Sequence, residues 1–299
     1  MEDKVIHKVV LIPVDFSDYS IRTCEIGFKY ASEIGAEVRL LHAYCSTNLP
    51  STLTYFMIGQ DNFAADEDSI KKAVKEAKAE MDKLESVIEA KIADGQLPAV
   101  KYDHVITEGL PEDEIIAYSK KFRPMLILMG TRGENRKNLD LIGSVTAEII
   151  EITKIPLLTI PENVSFDDLK NAHNIAFAIS FSQQDLVAFD HFVELVGCYN
   201  PKIHLFNIVS SKSDWDEVRL AGTREYFRKH YPTLDVEFSV FDNTNILVSV
   251  ENFVRNKQID VIALTTYRHS IITRIFNPSI ARKMLFHTNT ALLVIPLHS

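Results

Sequence analysis

The chain has 299 residues, of which 46% are hydrophobic and 24% charged, and a formal net charge of −9. That length and composition suit two ordinary globular domains, each able to bury a core. The acidic balance argues against a nucleic-acid or membrane-surface binder, because such proteins need a basic face to meet phosphates.

Residues 1–8 are charged and lack the apolar centre of a signal peptide, and no run approaches the roughly 18 apolar residues of a membrane span. The expectation is a cytoplasmic protein with no membrane or nucleic-acid partner. Cys24, Cys45 and Cys198 are odd in number and show no metal or redox spacing, so they read as buried free thiols in a reducing compartment.

Val9 to Val14 is a short continuous apolar run, as expected of a strand covered on both faces. Ser17 or Asp18 caps the helix that follows, and Gly35 stops it. Val38 to Tyr44 reads as a second strand and Ser46 to Ala65, which has no clear period, as a mobile loop. From Ile70 to Ile92 apolar residues recur at three and four, which predicts one long amphipathic helix ended by Gly95. Val100 to Thr107, Leu110 to Phe122, Met125 to Met129, Ser144 to Ile152 and Pro156 to Ile160 continue the alternation of strand and helix. Such alternation implies a parallel sheet with helices on both faces.

Residues 162–173 are polar, follow Pro161 and read as a linker between a first domain (1–161) and a second (174–299). The second repeats the pattern: strands at Asn174 to Ser180, Lys202 to Val209, Val236 to Phe241, Asp260 to Leu264 and Ala291 to Ile295. Helices fall at Gln183 to Val196, Trp215 to Lys229, Ile246 to Asn256 and Ile280 to Phe286. Aligning Pro161 with Pro296 superposes LLTIP on LLVIP and sets Ser144 on Ser279. The chain is an internal duplication of an α/β unit, each copy an open five-stranded parallel sheet.

Candidate chemistry concentrates in Leu126 to Pro161. An apolar strand ends at Gly130. Gly133 follows after two residues, Gly143 after nine more, and Ser144 comes next at the start of a helix. Glycine lets a ligand approach bare backbone. The unpaired N–H groups of the helix start make an anion site to which the Ser144 and Thr146 hydroxyls add donors. Arg132, Arg136 and Lys137 lie in the same loop. The copies differ: eight of the ten glycines fall in the first. In the second, Thr265 stands for Gly130, Arg268 for Gly133, Pro278 for Gly143 and Ser180 for Asp15, so the fold is kept and the cradle is not.

This spacing, with Asp15 at the end of the first strand, resembles the ATP-binding members of the universal stress protein family, here in tandem two-domain form. The resemblance implies a Rossmann-like, adenine nucleotide alpha hydrolase-like fold and a site for ATP, ADP or AMP, with magnesium where phosphates are present. Carried over residue by residue, Pro13, Val14 and Asp15 meet the adenosine and Ala43 lines the adenine pocket. Met129, Gly130, Arg132 and Gly133 meet ribose and phosphates, and Gly143, Ser144, Val145 and Thr146 the distal phosphates. It also implies pairing of the two domains through their last strands, Leu157 to Ile160 and Leu292 to Ile295, and a homodimer of whole chains.

There is no Walker motif and no Gly-x-Ser-x-Gly elbow, and none of the ten histidines forms a spaced ligand pair. His42 and His104 read as structural. Asp15 also has a bland reading, as a residue that turns or caps the chain before Ser17. The expectation is a non-enzymatic, nucleotide-responsive stress or regulatory protein whose ATP hydrolysis, if any, is slow and incidental. The alternatives are a scaffold that binds no nucleotide and an ATP-dependent enzyme of similar fold.

Overall fold

A computed structural model describes residues 8–45, 67–131, 143–180, 182–209, 214–242, 246–265 and 290–296. The expected loop at 46–65, the helix at 280–286 and Arg132, Gly133, Arg268 and Pro278 lie outside these residues. The chain divides into two compact units: of the described residues the first takes 8–131 and Ser144–Ile152, and the second takes Gly143 and all from Thr153 on.

In the first unit, β1 (Val9–Pro13), β2 (Glu37–Tyr44), β3 (Tyr102–Glu108) and β4 (Leu126–Gly130) pair in the order β3-β2-β1-β4, all parallel. Four helices accompany them: α1 (Asp18–Ile34), α2 (Glu67–Ala93), α3 (Pro111–Phe122) and α4 (Ser144–Ile152). Ser17 caps α1 by accepting from the Ser20 N–H at 3.3 Å, and Gly35 ends it with φ +64°, a conformation that glycine adopts without strain. Period-two alternation sorts the strand residues between faces. Tyr102 and His104 reach Glu89 and Glu85 of α2, whereas Asp103 between them turns the other way to Arg39. An ion pair of Glu25 with Lys91 joins α1 to α2, and α3 packs on α4. Of the apolar stripe of α2, Ala77, Met81, Leu84 and Ile88 are buried, while Val87 is 42% exposed.

In the second unit, β6 (Asn174–Ala178), β7 (Lys202–Val209), β8 (Val236–Asp242), β9 (Val261–Thr265) and β10 (Ala291–Ile295) run parallel in the order β10-β9-β6-β7-β8. Numbered within its own repeat this is the same order as in the first unit. The β10 edge is covered by β5 (Leu157–Ile160), antiparallel, with Leu293 opposite Leu158 and Val294 opposite Leu157. β5, which the sequence groups with the first repeat, falls within the second of the two compact units. Both strands are buried and apolar, and pairing satisfies backbone groups that an open edge would leave to solvent or to another chain.

The segment read as a linker folds. Ser165 and Asp168 form a capping box that starts the short helix α5 (Phe166–Lys170), and Val164, Phe166 and Ala172 are buried. Then come α6 (Gln183–Val196), α7 (Asp214–His230) and α8 (Ile246–Lys257). Phe177 of β6 packs against Phe189 and Phe192 of α6, with Phe227 of α7 on Phe189. Phe206, Phe241 and Phe253 form a second aromatic cluster that joins β7, β8 and α8. One thiol corrects the sequence reading: Cys24 is buried, but Cys45, just past the end of β2, is exposed. Among the described residues no helix is long and apolar enough to cross a membrane.

Candidate functional site

In an open parallel sheet a ligand crevice forms outside the carboxyl ends of the strands, where the strand order reverses. In the first unit that point lies between β1 and β4. The residues that follow β1, the end of β4 and the start of α4 therefore lie toward one end of the sheet: Pro13, Val14 and Asp15, then Met129 and Gly130, then Ser144, Val145 and Thr146, of which Thr146 bonds to Gly130. Ala43 joins them near the end of β2.

The chain leaves β1 through a tight, braced turn. The Val14 N–H still donates to the Leu41 carbonyl at 2.8 Å, one residue beyond the strand. Phe16 then adopts φ +59°, which is sterically costly for a residue with a Cβ, so the surroundings must hold it there. Its ring lies 4.3 Å from that of His42. The His42 Nδ1–H donates to the Val14 carbonyl at 2.8 Å. A carbonyl only accepts, which assigns the proton to Nδ1. Burial pulls the His42 pKa below its ordinary value, against smaller opposing effects of the Val14 carbonyl and Asp15, so the ring is neutral at pH 7. Asp15 is exposed, and its Oδ1 accepts from the Ser17 N–H at 3.1 Å and the Ser17 hydroxyl at 2.6 Å. The turn-forming role of Asp15 is thus present, whatever else the carboxylate meets.

Gly130 is the last residue of β4 and has extended backbone. The Thr146 hydroxyl donates to the Gly130 carbonyl at 3.0 Å and is itself buried. Its proton therefore secures α4 to β4. Ser144, by contrast, is exposed at the first turn of α4, where the helix N–H groups lack intrahelical partners. Among the described residues no group of three or more His, Cys, Asp or Glu side chains could hold a metal ion.

At the matching strand end of the second unit the turn is tied to the helix that follows. Asp185, buried in the first turn of α6, accepts from the Ser180 N–H at 2.8 Å, the Ser180 hydroxyl at 2.9 Å and the Ser182 N–H at 2.9 Å. Thr265, in the place of Gly130, ends β9 and is buried.

A model of the universal stress protein family matches residues 7–161. The chain belongs to the universal stress protein family. Universal stress protein MJ0531 of Methanocaldococcus jannaschii is 25% identical over 158 residues, which cover 52% of this chain and 82% of the relative. Universal stress protein YxiE of Bacillus subtilis is 27% identical over 155 residues, covering 50% of this chain and 97% of the relative. The crystal structure of a universal stress protein from Archaeoglobus fulgidus superposes on 97% of this chain and 98% of its own, with a TM-score of 0.69 and 15% identity. At that identity the likeness is one of fold alone.

Two features brace the turn after β1. His42 read as structural, and its bond to the Val14 carbonyl is of that kind, though the sequence did not show what it holds. Phe16 gave no local signal, since left-handed backbone is expected of glycine or asparagine rather than an aromatic.

Proposed function

We propose that the first repeat binds ATP or another adenine nucleotide, and that the protein acts as a stress or regulatory protein by nucleotide-dependent conformation or choice of partner. The observation that carries this reading is the meeting of the Val14–Asp15–Phe16 turn, the Gly130 strand end and the α4 N-terminus at the switch point of one sheet. These parts suit the two ends of a nucleotide. The α4 N-terminus, with Gly143, Ser144 and Val145, offers N–H and hydroxyl donors to phosphates, joined by Arg132 and Gly133 of the loop. Pro13, Val14, Asp15 and Ala43 form the end that takes adenosine, and Met129 and Gly130 lie between. Magnesium would be held chiefly by phosphate oxygens and water.

The second repeat is a degenerate domain without a nucleotide site, because a side chain stands at each glycine position and Asp185 takes the donors that follow β6. The protein is not an enzyme in this reading. The described site presents phosphate donors but no residue placed to activate water, so turnover falls well below the roughly 1 per second of slow enzymes. The cytoplasm is the proposed location, in keeping with the charge of −9. Domain pairing within the chain through β5 and β10, with whole chains forming a homodimer, is the proposed assembly.

One observation favours the alternative of a scaffold without nucleotide: Asp15 Oδ1 and the Thr146 proton are engaged within the protein. The deciding experiment is mass spectrometry of small molecules released on denaturing the purified protein, followed by calorimetry with ATP, ADP and AMP, each with and without magnesium. About one adenine nucleotide per chain is expected. No binding of any of the three supports the scaffold.

A further inference from the structure

In a parallel ladder, the strand that receives the Val14 N–H at Leu41 should return a bond from the Ala43 N–H to the Val14 carbonyl. That bond is not made. The His42 imidazole takes the Val14 carbonyl instead, at 2.8 Å, and the ladder between β1 and β2 stops at Pro13 and Leu41. The exchange has two consequences. It leaves the Ala43 N–H, which points toward β1, without a ladder partner there. It also fixes the carbonyl from which the strained Phe16 turn departs, with the Phe16 ring against the imidazole.

The second repeat makes the same exchange with different chemistry. The Ile179 N–H donates to the Phe206 carbonyl at 2.9 Å, which matches Val14 with Leu41. Asn207, at the place of His42, donates from Nδ2 to the Ile179 carbonyl at 2.5 Å and is buried. An asparagine amide and an imidazole Nδ1–H sit at the same distance from the main chain, so either can deliver the bond. The clamp is therefore kept where the glycine cradle has been lost, and its role belongs to the strand-end turn rather than to the phosphates.

We infer that His42 is a positioning residue of the first-repeat site: its Nδ1–H holds the Val14–Asp15–Phe16 turn and keeps the Ala43 N–H out of the β1 ladder, so that among the described residues this donor is left to the ligand. This rests on the reading of that site as an adenine-nucleotide site. His42 needs no contact with the ligand to act in this way. What matters is a side-chain donor of the right length, whether or not it titrates.

The experiment compares His42→Asn with His42→Leu in the full-length chain. Asn and Leu share their branching, but only Asn can donate. ATP affinity is measured by calorimetry, alongside the melting temperature of the unliganded protein. His42→Asn, which copies the second repeat, should bind within about threefold of wild type, and His42→Leu should weaken binding about tenfold or more. Should His42→Leu not fold, His42→Asp, which accepts but cannot donate, takes its place with the same expected loss. Equal affinity of the donor-lacking variant and wild type overturns the inference while leaving the nucleotide reading intact. So does a His42→Asn variant as weak as His42→Leu, since the imidazole would then matter beyond its donor. A wild-type protein that binds no adenine nucleotide overturns the nucleotide reading, and the inference with it.

Discussion

The Thr146 hydroxyl donates to the Gly130 carbonyl across 3.0 Å and so joins α4 to the strand that ends beneath it. The sequence reading counted this hydroxyl among the phosphate donors, and in the structure it is bonded to the Gly130 carbonyl. Thr146→Val keeps the shape, removes the proton and leaves a carbonyl without its donor. The expected cost is about 1 kcal/mol of stability, with severalfold weaker nucleotide binding, whereas Thr146→Ser should stay close to wild type. Thermal denaturation and calorimetry on the two variants check this.

Two histidines make stability fall on mild acidification. Burial is the main cause that lowers the pKa of His42 and of His204 below the ordinary 6.5. His204 is 3% exposed, its Nε2 lies 2.9 Å from Asn174 Oδ1, and Lys202 and Lys257 lower it further, against Glu237 and Asp235. Its Nδ1 is buried without a hydrogen-bond partner, 3.5 Å from Glu237 Oε2. A depressed histidine pKa means that the unfolded chain takes up the proton first. Stability is then complete above pH 6.5 and declines as the pH drops toward the folded-state values. The test window lies between 6.5 and 4.5, above the ordinary value of Glu237, whose own lowered pKa acts only in stronger acid. Urea midpoints should decrease across that window in wild type, and the slope should flatten in His42→Asn and in a His204→Gln variant.

Much of the fold was legible because its signals are local. Apolar runs marked the strands, the three-and-four repeat marked α2, and Gly35 and Gly95 stopped helices with positive φ. The site was legible as a spacing of glycines around a strand and a helix start. What stayed hidden depends on partners distant in sequence. Cys45 lies beside an apolar strand, and nothing local shows that the strand end is uncovered. The partner of β5 is β10, more than a hundred residues away, and it was the resemblance to a family, not any local signal, that led to the expectation of this pairing. The helix after Pro161 was a missed local signal: Ser165 and Asp168 stand at capping-box spacing, but with aspartate in the place usually held by glutamate or glutamine.

Asp185 caps α6 and ties down the turn that follows β6 in the second repeat. Its carboxylate is 4% exposed and accepts from Ser180 N, Ser180 Oγ and Ser182 N. Asp185→Ala leaves those buried donors unpaired, at an expected cost of about 3 kcal/mol, and Asp185→Asn, which keeps one carbonyl acceptor, about half of that. Chemical denaturation followed by tryptophan fluorescence is suited to the measurement, because Trp215 lies in the second unit. Nucleotide binding by the first repeat should be unchanged in both variants. Loss of that binding would show that the second repeat takes part in the site.

Gly130 gives the most direct test of the difference between the repeats. Its backbone is that of a strand, and the left-handed glycines among the described residues are Gly35, Gly95 and Gly109. Threonine is a good strand former, and Thr265 already occupies the matching strand end in the second repeat, buried and in register with Ile295. Gly130→Thr should therefore fold with a melting temperature close to wild type. The added side chain would fill the space above the strand end through which phosphate and ribose approach bare backbone. Calorimetry should find about one adenine nucleotide per wild-type chain and none per Gly130→Thr chain. Two equivalent sites in wild type, or unchanged affinity in the variant, would mean that the glycines are not what separates the first repeat from the second.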